Sequence, residues 1–210
     1  MSISSALASL NAGRFKNWSR DNGLRQAAGY MFDGDVYKHL EIDTLDAATL
    51  AEATRRLRIL SGLYGLLRPT DEVNPYRLEM GRKIPGHPDG TLYRFWGSKI
   101  SEALVEDAKS TSSRCVLNLA SGEYAKAVDR EALNGLDVIE PRFEEDRDGH
   151  RRVIGVTAKR ARGAMARWVL ENRITNPEDL TGFERGGFVY DQAVSTVHQP
   201  VFLKPSTVPA

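Results

Sequence analysis

The chain has 210 residues, 41% of them hydrophobic and 27% charged, proportions that suit a globular protein with a sizeable core. Its 29 basic and 28 acidic side chains leave a formal net charge of +1, which excludes a field of one sign over the whole molecule, so a nucleic-acid surface must arise from local clustering. A single cysteine, Cys115, excludes an intrachain disulfide, no apolar run approaches the roughly 18 residues of a membrane span, and residues 1–5 lack the flanks of a signal peptide. A cytoplasmic protein with no membrane partner is therefore expected.

In chain order, Ile3, Leu7 and Leu10 recur at helical spacing and predict an opening helix. A second helix is predicted over 45–60, with Leu50, Leu57 and Leu60 toward the core and Arg55, Arg56 and Arg58 near its C-terminal end. Gly62, Gly65 and Pro69 then break it. Residues 68–91, rich in proline and glycine, read as a long irregular segment, too apolar around Tyr76–Met80 to be a simple linker. A helix over 94–109 is followed by the apolar run 115–119, which suits a buried central strand and makes Cys115 a small buried hydrophobe, a redox-sensing thiol in an exposed, electropositive setting being the alternative. A short helix over 123–128 should leave that strand. Residues 137–157 read as a β-hairpin turning at Asp148-Gly149. A basic helix over 159–174, a turn at Asn176-Pro177, a strand pair at 189–190 and 201–203, and a frayed tail at 205–210 complete the chain. Helices and hairpins mix without βαβ alternation, so the expected fold is α+β: a single domain over 1–210 with a mixed sheet flanked by helices.

Three stretches are candidates for chemistry. In the basic helix, at about 100° per residue, Lys159, Arg160, Arg162, Arg167 and Arg173 share an arc of about 160°, with Ala161, Ala164, Met165 and Trp168 opposite. Glu171 is its one acid, so the cations are not neutralised locally, and phosphate binding needs such a cluster. A solvated face with ordinary ion pairs is the plain alternative. Gly163 lies inside the basic arc, where another backbone or a phosphate can approach closely. The second stretch is LSGLYGLLRP (60–69), whose two glycines either turn amide groups toward phosphate oxygens or form a plain helix C-cap. The third is NLASGEYAK (118–126), just past the predicted strand; Ser121 there reads equally as a site residue or an N-cap above a packed Tyr124. The four histidines are scattered without metal-ligand spacing, and neither a dinucleotide or P-loop glycine motif nor a GxSxG elbow is present. No metal or cofactor is expected.

LSGLYGLLRP (60–69), PYRLEMG (75–81), LYRFWG (92–97), NLASGEYAK (118–126) and AKRARGAMARWVLENR (158–173), with NAGRF (11–15) and GDVY (34–37) before them, resemble the YaaA family in order and spacing over nearly the whole chain. The resemblance implies a compact mixed α/β fold, a positively charged cleft that binds double-stranded DNA, and a part in peroxide resistance by limiting damage from free intracellular iron. Carried over to matching positions, the cleft should include Arg68, Arg77, Lys126, Lys159, Arg160 and Arg162, with Arg167 added from the helix arc. Family members usually begin with a strand and a Ser-Pro-Ala-Lys segment, which has no counterpart here. A strand near 116–119 left with an open edge would then favour self-association.

The expected function is thus a cytoplasmic stress protein that binds duplex DNA without sequence preference. The alternative is an enzyme acting on a nucleobase or phosphorylated small molecule, in a pocket built from PYRLEMG, NLASGEY and AKRARG, with Glu79, Ser121, Tyr124 and Lys159 as candidate catalytic residues. Convergence of those four side chains in one pocket would favour the enzyme, and a broad basic groove would favour the binder.

Overall fold

A computed structural model describes residues 4–18 and 24–206. Its elements are α1 (Ser5–Lys16), β1 (Gln26–Ala27), α2 (Ala28–Met31), α3 (Asp35–Leu40), α4 (Ala47–Arg56), β2 (Ile59–Ser61), β3 (Gly65–Leu67) and β4 (Glu72–Val73). There follow α5 (Leu92–Trp96), α6 (Lys99–Thr111), β5 (Cys115–Leu117), α7 (Gly122–Ala125), β6 (Asp137–Ile139), β7 (Arg142–Arg147), β8 (His150–Arg152), α8 (Gly155–Glu171), β9 (Val189–Tyr190) and β10 (Val201–Lys204). The architecture is α+β, as expected, but the strands are dispersed. One mixed sheet has the order β8-β7-β10-β9, and β1-β4, β2-β3 and β5-β6 are separate pairs.

The core follows from which faces are apolar. Phe143 on β7 and Phe202 on β10 are parallel neighbours whose rings stack at 5.5 Å. Phe183 and Phe188 close over them edge-on, and Ala158, Ala161 and Met165 of α8 cover the cluster. The opposite flank of α8, Ala166 and Leu170, packs on Leu40, Ile42 and Ala53. A further cluster gathers Met80, Leu92, Ile100 and Ala127, so the irregular 68–91 segment places Met80 in the core with no exposed surface.

Several expectations are corrected. The opening helix forms, but Leu7 and Leu10 are 37% and 50% exposed and Asn11 is the buried residue; Ile3 lies outside the described residues. The helix expected over 45–60 stops at Arg56, because Ile59–Ser61 pair antiparallel with Gly65–Leu67 as a tight hairpin. The helix expected over 94–109 is two helices broken at Gly97, whose φ is +51°. The expected hairpin is only β7–β8. It turns at Asp148-Gly149 with both residues at positive φ, as a type I′ turn requires, while Gly155 and Val156 already belong to α8. The expected central strand is β5, half-buried and paired only with parallel β6, so its other edge has no strand partner among the described residues. The expected strand pair β9–β10 forms, and its strands run antiparallel. Most of the expected frayed tail, 207–210, lies outside the described residues.

Candidate phosphate-binding surface and adjoining recess

Helix α8 is packed on three sides. Ala161 and Met165 face the phenylalanine cluster, with Trp168 half-buried beside Phe183 (ring centroids 5.7 Å apart). Gly163 faces α3: a Cβ there would lie 2.0 Å from the Val36 carbonyl oxygen and 3.0 Å from His39 Cβ. The close approach expected at this glycine is therefore made by a backbone of this chain. Arg167 is also drawn inward. Its Nη1 donates to the carbonyls of Leu40 (3.2 Å) and Glu41 (2.8 Å) and to Thr44 Oγ1 (2.6 Å), and its Nε donates to Glu171 (2.7 Å). With 14% of its side chain exposed, Arg167 is a brace that ties α8 to the C-terminal end of α3. Arg173 lies beyond the helix at φ +52°, 3.9 Å from Glu52. The predicted basic face thus narrows to the N-terminal half of α8. There Lys159 and Arg160 are exposed and Arg162 is half-buried, and none of the three has a carboxylate partner among the described residues.

The other predicted cations divide in the same way. Arg68 is exposed but its Nη2 lies 3.2 Å from Asp107, which Arg58 also holds. Arg77 donates to Glu79 at 3.0 Å. Lys126, just past α7, is exposed and has no ion pair among the described residues.

The glycines of 62–65 do not form a phosphate cradle. A Cβ on Gly62 would meet the Leu78 carbonyl oxygen at 2.6 Å, and one on Gly65 would meet the Trp96 ring at 2.6 Å. The Gly62 carbonyl accepts from Trp96 Nε1 at 3.0 Å, so the hairpin is closed over an indole. Neither a helix C-cap nor an open amide nest results.

The four catalytic candidates do not come together as one set. Glu79 is held by Arg82 and Arg77, which keep its carboxyl below the usual range. It lies close enough to Tyr124 to help raise that phenol, after burial and the neighbouring Glu123. Glu123 accepts from the Gly81 amide at 2.8 Å and, through its carbonyl, from Tyr93 Oη at 2.9 Å. Ser121 occupies the N-cap of α7 without a side-chain capping bond, and among the described residues Lys159 forms no hydrogen bond or ion pair with the other three. Sequence reasoning missed the tyrosines beside them. Ser61 Oγ accepts from the amides of Leu63 (3.2 Å) and Tyr64 (2.9 Å), so its own proton is directed to Tyr76 Oη at 2.5 Å. Burial pushes the Tyr76 phenol up to about 12 and raises Tyr37 further, with phenol neighbours adding to both. These phenols stay protonated at neutral pH.

Beyond the C-terminal ends of parallel β5 and β6 lies a recess of about 340 Å³, whose lining includes Asn118, Glu140, Arg142, Arg162 and Gln199. Asn118 is fixed there: its Oδ1 accepts from the Ala120 amide (3.0 Å) and its Nδ2 donates to Glu140 Oε1 (2.7 Å). Sequence reasoning missed Glu140; its signal was its place directly after the second strand. Cys115, on the first strand, is half-buried, and burial followed by Asp137 raises its thiol pKa, which disfavours the reactive thiolate. Among the described residues no His, Cys, Asp and Glu side chains gather as a metal site, and no helix is long and apolar enough to cross a membrane.

Comparison with known proteins places these features in a family. The model for the peroxide stress protein YaaA family matches residues 1–194. A UPF0246 protein of Ruegeria sp. (strain TM1040) is 62% identical over 204 residues, covering 97% of this chain and 80% of the relative. UPF0246 proteins of Cereibacter sphaeroides (strain ATCC 17029) and Maricaulis maris (strain MCS10) are 50% and 46% identical, over 97% and 100% of this chain and 79% and 80% of the relatives. The chain belongs to the YaaA peroxide stress protein family, UPF0246.

Proposed function

We propose that this protein binds double-stranded DNA through Lys126, Lys159, Arg160 and Arg162, as part of the peroxide-stress role its family name describes. The observation that carries the reading is the contrast along α8. Arg167 is consumed by Glu171 and the end of α3, whereas the three cations one or two turns earlier have no carboxylate partner among the described residues. Cations left without a carboxylate attract phosphates and release condensed counterions on binding. Contacts of this kind fix position and carry no base information, so binding should be insensitive to sequence.

The test is a duplex titration of the Lys159→Ala, Arg160→Ala, Arg162→Ala triple variant. It should bind more weakly than the parent and have a log–log salt slope shallower by about 3 × 0.9. An unchanged slope would remove α8 from the interface. Arg167→Ala serves as the contrast: it should lower stability and leave the slope alone.

A further inference from the structure

We propose that the recess beyond β5 and β6 binds a small phosphate monoester that also carries hydroxyl groups, a nucleotide or a sugar phosphate, with Arg162 as anion anchor and Glu140 as acceptor. Of these residues it shares Arg162 with the DNA reading, and it does not depend on that reading otherwise.

Position is the first support. Asn118 directly follows β5 and Glu140 directly follows β6, and these two strands run parallel in register, Cys115 opposite Asp137 through Leu117 opposite Ile139. The carboxyl ends of parallel strands are where α/β proteins open crevices for ligands, because the chain must leave each strand there for a helix or a corner. The volume of about 340 Å³ falls within the range of small-molecule sites.

The charges are the second. Two arginines line the recess, Arg142 and Arg162. Arg142 is satisfied, its Nε 2.5 Å from Glu144, and Arg130, outside the lining, is spent on Glu140 with its Nη2 at 2.7 Å. Arg162 lines the wall half-buried and forms no ion pair with a carboxylate among the described residues, and burial alone accounts for the depression of its pKa. A guanidinium that loses water without gaining a counter-charge is uncompensated, and an incoming anion restores the balance. The planar fork suits two oxygens of a phosphate.

The acceptor is the third. Glu140 Oε1 receives both Asn118 Nδ2 and Arg130 Nη2, which fixes the carboxylate, and Oε2 has no partner among the described residues. With the Asn118 amide oriented by Ala120, its second hydrogen has no acceptor among the described residues, and Gln199 adds another amide to the lining. A carboxylate inside the recess disfavours a continuous diester backbone and favours a ligand with an anionic end and a hydroxyl end. Pro141, Phe143 and Val153 contribute apolar wall to the recess.

The test is calorimetric titration of the full chain with a nucleoside monophosphate, ribose 5-phosphate, inorganic phosphate and the unphosphorylated nucleoside, each variant checked for an unchanged melting temperature. Both esters should bind saturably, and the nucleoside should not. Arg162→Gln should weaken both esters by about tenfold or more, the scale of a charge-assisted hydrogen bond. Glu140→Gln should weaken the esters and leave inorganic phosphate unchanged. A tighter nucleoside monophosphate identifies the nucleotide as the source of the phosphate; equal affinities identify the sugar phosphate. The proposal is overturned if neither ester saturates, if the nucleoside binds as well as its monophosphate, if Arg162→Gln binds normally, or if Glu140→Gln leaves the esters unaffected. The DNA reading fails separately. The Lys159→Ala, Arg160→Ala double variant should lose duplex affinity while keeping ester binding, so a parent protein that binds esters and no duplex would sink that reading alone.

Discussion

Replacing Gly163 by alanine separates a packing role from a ligand-binding one. In an exposed helix the change would stabilise by about 1 kcal/mol through helix propensity. Here the new Cβ would sit 2.0 Å from the Val36 carbonyl oxygen, on the neighbouring helix α3. Carbon and carbonyl oxygen need about 3.3 Å, so the two helices must part by about 1 Å. Overpacking of this kind costs about 3 kcal/mol, and the clash is with backbone, which cannot rotate away. The net loss is about 2 kcal/mol, or about 4–8 °C in Tm for a chain of this size. The assay is thermal and urea unfolding of Gly163→Ala beside Gly13→Ala, where a Cβ meets nothing within 4 Å and slight stabilisation is expected. A Gly163→Ala protein that melts at or above the parent refutes the helix contact. If it also loses DNA affinity, the glycine admits a ligand and not α3.

Arg167→Ala should destabilise by about 3 kcal/mol, because it strips the charged donor from the Leu40 and Glu41 carbonyls and from Glu171 together. Arg167→Lys should rescue little, since one ammonium cannot span those acceptors; full rescue in a urea melt would contradict the brace. The tyrosine cluster sets an alkaline limit. The Tyr76 phenol titrates near 12 in the folded protein against about 10 when unfolded. The folded value is the higher one, so its stabilisation is fully present below pH of about 10 and is lost as pH rises toward 12. Unfolding followed by phenolate absorbance should show this decline, and stability that is flat across that window would count against burial of the phenols. Cys115, half-buried beside Asp137, should react slowly with a thiol-alkylating reagent at neutral pH; alkylation as fast as in denaturant would show that the thiol is open.

What could be read from the sequence was local. Asp148-Gly149 carries its turn in its own backbone preferences, and the apolar flank of α8 shows in the spacing of Ala161, Met165 and Trp168. What could not be read depended on partners distant in sequence. Leu57, Ile59 and Leu60 continue the apolar pattern of α4, and only pairing with Gly65–Leu67 turns 59–61 into a strand. Arg167 looks like its neighbours on the helical wheel; its fate is decided by Glu41, 126 residues away. Gly163 was read as a place of close approach, but the identity of the approaching backbone is a property of the α3–α8 contact. Glu140 gains its setting only once β6 lies alongside β5 and brings Asn118 within 2.7 Å.

The proposed DNA surface is tested most directly by measuring the parent protein's affinity for two scrambled duplexes of equal length over a series of salt concentrations. Four cations without carboxylate partners among the described residues, at about 0.9 counterion released per phosphate, predict a log–log slope of about −3 to −4, the same for both sequences. A slope near zero, or affinities that separate by sequence, would contradict it.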